Sequence, residues 1–287
     1  MEYKKRVGID LHIHSTASDG MLTPSEILSL AQELHLGAFA ITDHDTIEGS
    51  KEIIEAGIPS SVNFLTGVEI STGLPLSFAF SGSLHILGYG IDIYNIDLNH
   101  ALAKQRKARK DRNPGIIANL TDLGFDLTLE EVIRETGNMQ TGRPQIAQMM
   151  LAKGFVKTID EAFDKYLAKG RPGYIDKYRI DCAGAIKIIL DAGGLPVLAH
   201  PSFVNKTGIE DLVIALVNMG LKGIEAYYPG HSISQTRKYT ELAGHYDLIV
   251  TGGTDFHGSL KPDIQMGSGK GNLFIPYDLY EKILDFL

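Results

Sequence analysis

Two short patterns in the sequence place histidines where a metal ion could be bound. His12 and His14 stand two residues apart at the end of a strand-like run, so their side chains project to the same side. Asp255 and His257 repeat this spacing after a second apolar run near the C-terminus. Imidazole nitrogens and carboxylate oxygens are common ligands of divalent cations. Either pair alone could be an ordinary polar strand end, but the repetition predicts a metal site.

Further candidate ligands close or interrupt other apolar runs. His44 follows the run AFAI, and Glu69 lies among the apolar residues of GVEIS, where an unpaired carboxylate would be costly to bury. His85 and His200 lie within or at the end of apolar runs, and Asp19 follows the first histidine pair. Each histidine taken singly is better explained as a structural residue. Six of the ten histidines in the chain lie in such positions, and chance alone explains this number poorly.

The runs that carry these residues alternate with helical patterns. Amphipathic or helical stretches occur at 23–35, 209–219 and 232–243. Such alternation predicts a parallel α/β sheet or barrel, with the chemistry in loops at the carboxyl ends of the strands. The strand-like runs are 6–14, 38–44, 63–71, 84–91, 195–200, 223–228 and 247–257.

The middle of the chain has a different character. Residues 97–170 lack strand patterns, and Pro114 and several glycines separate the helical stretches. We therefore expect a barrel formed by 1–96 and 171–287, with an inserted helical subdomain at 97–170. The predicted helices of the insertion are 97–112, 128–136, 144–153 and 158–168.

Composition excludes several classes of protein. The chain has 287 residues, a net charge of -8 and one cysteine, so disulfide frameworks and thiolate metal clusters are excluded. Its apolar runs are strand-sized and no signal-peptide pattern is present, so we expect a cytosolic protein that does not enter membranes. No obligate protein partner is evident. The basic run 104–112 is either a solvated helix face or a guide for a polyanionic substrate.

The motifs, taken in order, resemble those of the PHP (polymerase and histidinol phosphatase) metallophosphoesterases. This resemblance implies a distorted (β/α)7 barrel with three divalent metal ions at the carboxyl ends of the strands. Three other segments, GRPQIA, KGRPGY and EAYYPGHS, resemble the nucleoside 3′,5′-bisphosphate phosphatase and RNase AM-like subfamily. The PHP-like motifs are DLHIHSTASDG (10–20), TDHD (42–45), GVEIS (67–71), LHILGY (84–89), LAHP (198–201) and GGTDFHG (252–258).

The resemblance also implies how the ligands are distributed. The second ion would share Glu69 with the first, and Asp19 stands where some relatives use histidine at the third. Mn²⁺ is the favoured ion, and Zn²⁺ or Fe²⁺ would also suit nitrogen and oxygen ligands. The implied sets are His12, His14, Glu69 and Asp255 for the first ion, Glu69, His85 and His200 for the second, and Asp19, His44 and His257 for the third. The neighbouring carboxylates Asp10, Asp43 and Asp45 would orient histidine rings.

Four residues outside these sets could bind substrate. Arg143 precedes Pro144 at a predicted helix start, where a phosphate would be favoured, although a structural salt bridge is the alternative. His231 could protonate a leaving oxygen or bind phosphate, and it could equally be a solvated loop histidine. Arg171 and Tyr174 could stack on or bridge a nucleotide.

The resemblance, together with these residues, implies a metal-dependent phosphoesterase. A metal-bridging hydroxide would attack a nucleoside 3′,5′-bisphosphate or the 5′ end of a short RNA, since no serine or cysteine nucleophile motif is present. One alternative is a phosphatase for a non-nucleotide phosphomonoester such as histidinol phosphate. Another is an inactive, metal-stabilised binding module. The expected catalytic residues are His12, His14, Glu69, Asp255 and His231.

Overall fold

The protein divides into two compact units. The structure, a computed structural model, describes residues 8–73, 75, 84–136, 141–203 and 208–287. One unit comprises Met1–Leu102 and Ile180–Leu287, and the other comprises Ala103–Arg179. The expected insertion, 97–170, has different limits at both ends. A single helix continues across the first boundary, and Gly173 N donates to Tyr166 O (2.9 Å), which ties the segment after 170 to the second unit.

The first unit is built on one sheet. Its path runs β1-β2-β3-β4-β6-β7-β8, and β5 pairs with β3 off this path. Phe256, just after β8, bridges to Ile13 of β1, so the two ends of the path meet. The predicted seven-stranded α/β barrel is thus confirmed. The strands are β1 (Ile9–Ile13), β2 (Ala38–Ile41), β3 (Asn63–Gly73), β4 (Leu84–Tyr89), β5 (Ile180–Asp181), β6 (Leu195–Leu198), β7 (Gly223–Tyr227) and β8 (Ile249–Gly252).

Strand β4 departs from the expected parallel arrangement. It runs antiparallel to both β3 and β6. The link from Gly73 to Leu84 is shorter than the dozen or more residues that a parallel crossover needs, so the chain returns antiparallel. Strand β5 was also not predicted, because a two-residue strand carries no alternating pattern.

Helices pack around this sheet. Strands β1, β2 and β6 are buried along their whole length, so the sheet is a rigid support for the residues at its edge. Helix α1 begins after Thr23, whose side chain and that of Glu26 form a reciprocal cap. The helices of this unit are α1 (Pro24–Glu33), α2 (Glu48–Ala56), the start of α3 (Ile96–Asp122), α7 (Cys182–Asp191), α8 (Ile209–Asn218), α9 (Ile233–His245) and α10 (Asp278–Phe286).

The second unit is helical, and its described residues, 103–136 and 141–179, contain no strand. After the continuation of α3 come α4 (Leu129–Thr136), α5 (Arg143–Ala152) and α6 (Ile159–Ala162), followed by a π-helical turn at Phe163–Leu167. Their apolar core includes Ile116, Leu120, Ile146 and Met150.

The prediction that α3 ends near Pro114 was wrong, because the helix continues to Asp122. Pro114 and Lys110 are both exposed, so water can reach the carbonyl that lacks its helical partner. In the part of the chain that the structure describes, no helix is long and apolar enough to cross a bilayer.

Candidate metal centre

The first group of candidate ligands lies where β1 and β8 end. His12 is on β1, His14 follows it, and Asp255 follows β8. These residues and Glu69 of β3 each offer a ligand atom, and the four atoms lie within 4.8 Å of one another. Nε2 of His14 is 3.2 Å from both Glu69 Oε2 and Asp255 Oδ1. A Cβ placed on Gly253 would lie 2.1 Å from that of His12, so the glycine permits this close approach.

Glu69 lies at the centre of the cluster and is fully buried. Its Oε1 is 2.6 Å from His85 Nδ1 and 2.9 Å from His200 Nε2. Its Oε2 is 3.1 Å from His44 Nδ1, in addition to its contacts with the β1 histidines. One carboxylate therefore contacts histidines from five separate positions in the sequence.

A further group surrounds Asp19. Its Oδ1 is 3.5 Å from His14 Nδ1 and 3.6 Å from His257 Nε2, and its Oδ2 is 3.9 Å from His44 Nε2. All four residues offer ligand atoms within 4.8 Å of one another. His14 thus belongs to this group as well as to the first.

The structure brings all nine candidate ligands into one region. The first implied set forms a compact group as expected, and the third does so with His14 added. The group around Glu69 contains His44 and His85, whereas His200 lies outside it and contacts Glu69 Oε1. The nine residues are His12, His14, Asp19, His44, Glu69, His85, His200, Asp255 and His257.

The donor atoms suit a divalent cation. Nε2 of His14 and Nδ1 of His44 are buried and have no hydrogen-bond partner among the described residues, although each faces a carboxylate oxygen. Buried polar atoms are rarely left unpaired, and a bound cation would take up their lone pairs. Nitrogen and carboxylate donors of this kind fit Mn²⁺, Zn²⁺ or Fe²⁺.

Charges within the cluster divide the histidines into two kinds. Burial opposes a proton on His12, but Glu225 and Glu69 raise its pKa well above the usual value. Burial lowers the pKa of His44 to about 4, and burial and the charge of Lys261 lower that of His257 to about 3. Because a cation binds the neutral imidazole, the raised pKa of His12 makes cation binding there compete with protonation.

Sequence reasoning missed Glu225, which positions His12. Glu225 is fully buried on β7, and its Oε1 is 2.9 Å from His12 Nδ1. Its Oε2 accepts a hydrogen bond of 2.7 Å from the backbone N of His200. This bonding turns His12 Nε2 towards Glu69. An acidic residue inside the apolar run GIEAYY is the same signal that identified Glu69, and it could have identified Glu225.

Asp10 and Asp43 do not bind histidine rings directly, which corrects the expectation. Asp10 accepts from the backbone N and hydroxyl of Thr254, and it meets His12 only at its backbone N. Asp43 accepts from the hydroxyl of Ser18, whose oxygen is 3.5 Å from His14 Nδ1. These carboxylates therefore fasten the loops that carry the ligands.

Asp45 likewise bonds to the main chain, since it accepts from the backbone N of Ser71 (2.9 Å).

Asp255 has partners that the sequence did not indicate. Its Oδ2 accepts from Lys261 Nζ (2.7 Å) and from the Tyr228 hydroxyl (3.0 Å). Its other oxygen is left facing the histidines. The polar stretch around Lys261 contains no pattern that would have predicted this contact.

His231 and Tyr228 both line a cavity of about 450 Å³. Its Nδ1 donates to the Ala226 carbonyl (2.9 Å), whereas its buried Nε2 has no partner among the described residues. Its ring is 5.1 Å from that of Tyr228, which is 5.7 Å from the ring of His200. Burial lowers the pKa of His231. It is therefore a partly buried histidine beside a cavity and not a solvated one.

Of the expected substrate residues in the second unit, the structure brings two together. Arg143 is the first residue of α5, and its guanidinium lies 5.3 Å from the centre of the Tyr174 ring. Its Nη1 donates to the Leu167 carbonyl (3.0 Å), and no carboxylate within the described ranges forms an ion pair with it. Arg171 is exposed and forms only backbone hydrogen bonds with described residues.

Comparison with known proteins agrees with this geometry. The PHP domain model matches residues 10–166. The chain is 33% identical over 252 residues to a 3′,5′-nucleoside bisphosphate phosphatase of Chromobacterium violaceum, covering 87% of each protein. It is 30% identical over 250 residues to a 5′-3′ exoribonuclease of Haemophilus influenzae, covering 86% of this chain and 89% of the relative.

A solved structure is also similar along nearly the whole chain. It is described as a metal-dependent phosphoesterase from Bifidobacterium adolescentis, with a TM-score of 0.84 and 29% identity. The match covers 98% of this chain and 96% of that one. The chain therefore belongs to the PHP domain family and is a metal-dependent phosphoester hydrolase.

Proposed function

We propose that the enzyme hydrolyses a phosphate ester of a nucleotide, either a nucleoside 3′,5′-bisphosphate or the 5′ end of a short RNA. The names of the bisphosphate phosphatase and exoribonuclease relatives support this substrate class. The observation that carries the proposal is the buried Glu69 carboxylate, which contacts members of all the overlapping ligand groups. Such sharing is what closely spaced cations require. We assign three ions to the centre, with Mn²⁺ favoured over Zn²⁺ and Fe²⁺.

Bound cations would neutralise charge on the phosphoryl oxygens and make water a nucleophile. The chain's own residues prepare the site for them. Glu225 holds His12 by its Nδ1, so that Nε2 stays directed at the cluster. Lys261 and Tyr228 hold one oxygen of Asp255 and leave the other for the histidines. These contacts limit the rearrangement that binding and reaction require.

His231 is proposed as the acid that protonates the leaving oxygen. Its Nδ1 remains bonded to the Ala226 carbonyl, so Nε2 is the nitrogen that can give up a proton. Burial lowers its pKa, which makes the protonated ring a stronger acid. The neighbouring cavity gives a substrate group room to reach this side chain.

Arg143 is proposed to bind a second phosphate of the substrate. A guanidinium can form two parallel charge-assisted hydrogen bonds to phosphate, and Arg143 lacks a carboxylate partner among the described residues. Tyr174, beside it, offers a ring on which a base could stack. A nucleotide-binding role for Arg171 stays a prediction, as does the cytosolic location.

A substrate panel tests the proposal. The manganese-loaded enzyme should hydrolyse a nucleoside 3′,5′-bisphosphate or 5′-phosphorylated RNA with a higher kcat/KM than p-nitrophenyl phosphate or histidinol phosphate. In labelled water, one oxygen should enter the released phosphate in a single turnover, without a phosphoenzyme. An Asp255→Asn variant, loaded identically, controls for contaminating phosphatases. Preference for histidinol phosphate would support the monoesterase instead, and hydrolysis of none would support an inactive module.

A further inference from the structure

Lys261 places an ammonium group directly beside the metal centre. Its Nζ lies 2.7 Å from Oδ2 of Asp255, a candidate ligand of the first ion. The short 3-10 turn Gly258–Leu260 follows His257, and the backbone N of Lys261 donates to the Gly258 carbonyl (3.1 Å). This turn folds Lys261 back onto the segment that carries Asp255 and His257.

Support of Asp255 does not by itself account for a charged group at this position. The Tyr228 hydroxyl donates to the same oxygen of Asp255 (3.0 Å) and carries no charge. An ammonium group beside Asp255 also repels the cations that the neighbouring ligands would hold. A neutral donor would fix Asp255 without this repulsion, so the charge of Lys261 needs a further explanation.

Lys261 has hydrogen-bonding capacity that the protein does not use. An ammonium group has three N–H donors, and the described residues accept only one of those of Lys261, through Asp255. The side chain of Lys261 is 41% exposed, whereas that of Asp255 is 8% exposed. Lys261 therefore lies at the edge of the centre that solvent reaches, and its remaining N–H groups are available to a ligand that approaches from there.

The scissile phosphate is the ligand that suits this position. Hydrolysis of a phosphoester brings this group to the metal centre, and charge spreads over its oxygens in the transition state. Lysine binds phosphate oxygens as a compact point charge. A cation at the edge of the buried ligands is therefore placed to meet a phosphoryl oxygen.

We propose that Lys261 is a catalytic residue that donates a hydrogen bond to an oxygen of the transferred phosphoryl group. Lys261 keeps its proton throughout. A water oxygen bonds to phosphorus, the ester P–O bond breaks, and the leaving oxygen takes a proton from His231, as proposed above. Lys261 stabilises the negative charge on the phosphoryl oxygens during this step. The role rests on the proposed hydrolysis at this centre, and not on a nucleotide as the substrate.

Substitution of Lys261 in the metal-loaded enzyme tests the role. Lys261→Met should lower kcat/KM by about 100-fold to 1,000-fold, as loss of one donor from an oxyanion site typically does. The loss should be equal for p-nitrophenyl phosphate and a nucleoside 3′,5′-bisphosphate, because both contain the transferred phosphoryl group. Lys261→Arg should recover part of the rate, since it keeps the charge. Lys238→Met, at an exposed lysine of α9, is the control and should match the wild type.

A role confined to holding Asp255 predicts a different pattern. Lys261→Gln keeps a neutral donor for Asp255, so a holding role predicts a rate near that of the wild type, whereas we expect a loss close to that of Lys261→Met. Calorimetry on metal-loaded protein should show that both variants bind inorganic phosphate about 10-fold more weakly, because a charge-assisted hydrogen bond is lost. Tyr228→Phe removes the other donor to Asp255 and should leave phosphate affinity unchanged at saturating metal.

Metal content decides how a loss of rate is interpreted. Elemental analysis should find as many ions in Lys261→Gln as in the wild type. Loss of ions in proportion to the loss of rate would make Lys261 a support of the metal centre and overturn the proposal. Wild-type phosphate affinity or a wild-type rate in Lys261→Gln would overturn it as well. If Lys261→Met does not fold, Lys261→Gln alone decides, since glutamine retains a polar side chain at this partly exposed position.

The outcomes separate this role from the proposed substrate. Weaker phosphate binding and slower hydrolysis of p-nitrophenyl phosphate by Lys261→Gln, in an enzyme that does not favour nucleotides, would support the role of Lys261 and refute the nucleotide substrate. Hydrolysis of nucleotides by Lys261→Gln at the wild-type rate would refute the role of Lys261 alone.

Discussion

The two units each bury a cluster of ionisable side chains, but the clusters have different charge balance. In the first unit, histidines face carboxylates, as Glu225 faces His12 and Glu69 faces His85. In the second, Arg112 and Arg143 lack carboxylate partners among the described residues and repel each other. Mixed charges hold the first cluster together before any ligand binds. Burial of like charges without ion-pair partners is costly, so the second cluster opposes its own burial.

The backbone that carries the two clusters also differs between the units. The first cluster lies on or directly after strands of the barrel, of which β1 and β6 are buried along their whole length. Three residues in this region, Asp45, His200 and Asp255, have positive φ values of 55°, 26° and 55°. Such conformations persist only where the surroundings impose them. The arginines instead extend from helices, and no comparable backbone strain occurs at Arg112 or Arg143. The metal centre is therefore built with more geometric constraint.

Removal of metal should have the largest effect. Chelation should abolish hydrolysis, whereas far-ultraviolet circular dichroism should change little, because the buried strands provide a core independent of the ligands. Re-addition of Mn²⁺ should restore the rate. Loss of the cooperative thermal transition on chelation would show that the cations, and not the core, hold the first unit together.

Glu69→Gln should disturb the metal centre as a whole. Losing this charge removes several kcal/mol of stabilisation, and about 4 kcal/mol corresponds to about a thousandfold in rate. Elemental analysis of anaerobically prepared protein should find close to three ions per wild-type chain and at least two fewer in the variant. Glu33→Gln, at an exposed position, is the matched control. One ion per wild-type chain at saturating metal would contradict the three-ion assignment.

The sequence predicted the first cluster far better than the second. The repeated spacing of His12 and His14 and of Asp255 and His257 predicted a metal site, and the resemblance to the PHP family implied that His12 and Asp255 bind the same ion. Glu225 was not predicted, although it lies in an apolar run as Glu69 does. The inward orientation of Arg112 could not be predicted, since it depends on how α3 rotates against the other helices. The direction of β4 was predictable from its short link.

Arg143→Ala tests whether Arg143 of the second unit binds a phosphate of the substrate. Two charge-assisted hydrogen bonds are worth about 1.5–3 kcal/mol, or about 10-fold to 150-fold in binding. The loss in kcat/KM should be much larger for a nucleoside 3′,5′-bisphosphate than for p-nitrophenyl phosphate. Arg143→Lys should recover part of it. Equal losses on both substrates would make Arg143 a support for its own unit and would favour the simple monoesterase.

Glu225→Gln tests whether mixed charge orders the first cluster. Glutamine retains an acceptor for the His200 backbone but loses the charge beside His12, so the pKa of His12 should fall. Partners of ligating histidines typically contribute about 10-fold to 100-fold to metal affinity or activity. Metal titration and histidine NMR would measure both effects. Unchanged metal affinity would show that packing alone fixes the His12 ring.

The exposed lysines of the basic run should have the smallest effect, which separates them from the buried arginines on the same helix. Lys107 forms an ion pair with Asp111 at the surface, and Lys104 lies 4.0 Å from the centre of the Tyr178 ring. If they guide RNA, Lys104→Ala and Lys107→Ala together should weaken oligonucleotide binding a few-fold and leave a mononucleotide unaffected. Each phosphate of a single strand that the variant no longer neutralises should reduce the slope of log K against log salt by about 0.7. An unchanged slope would show that these lysines form a solvated helix face. Recognition of anions in this unit would then depend on its buried arginines.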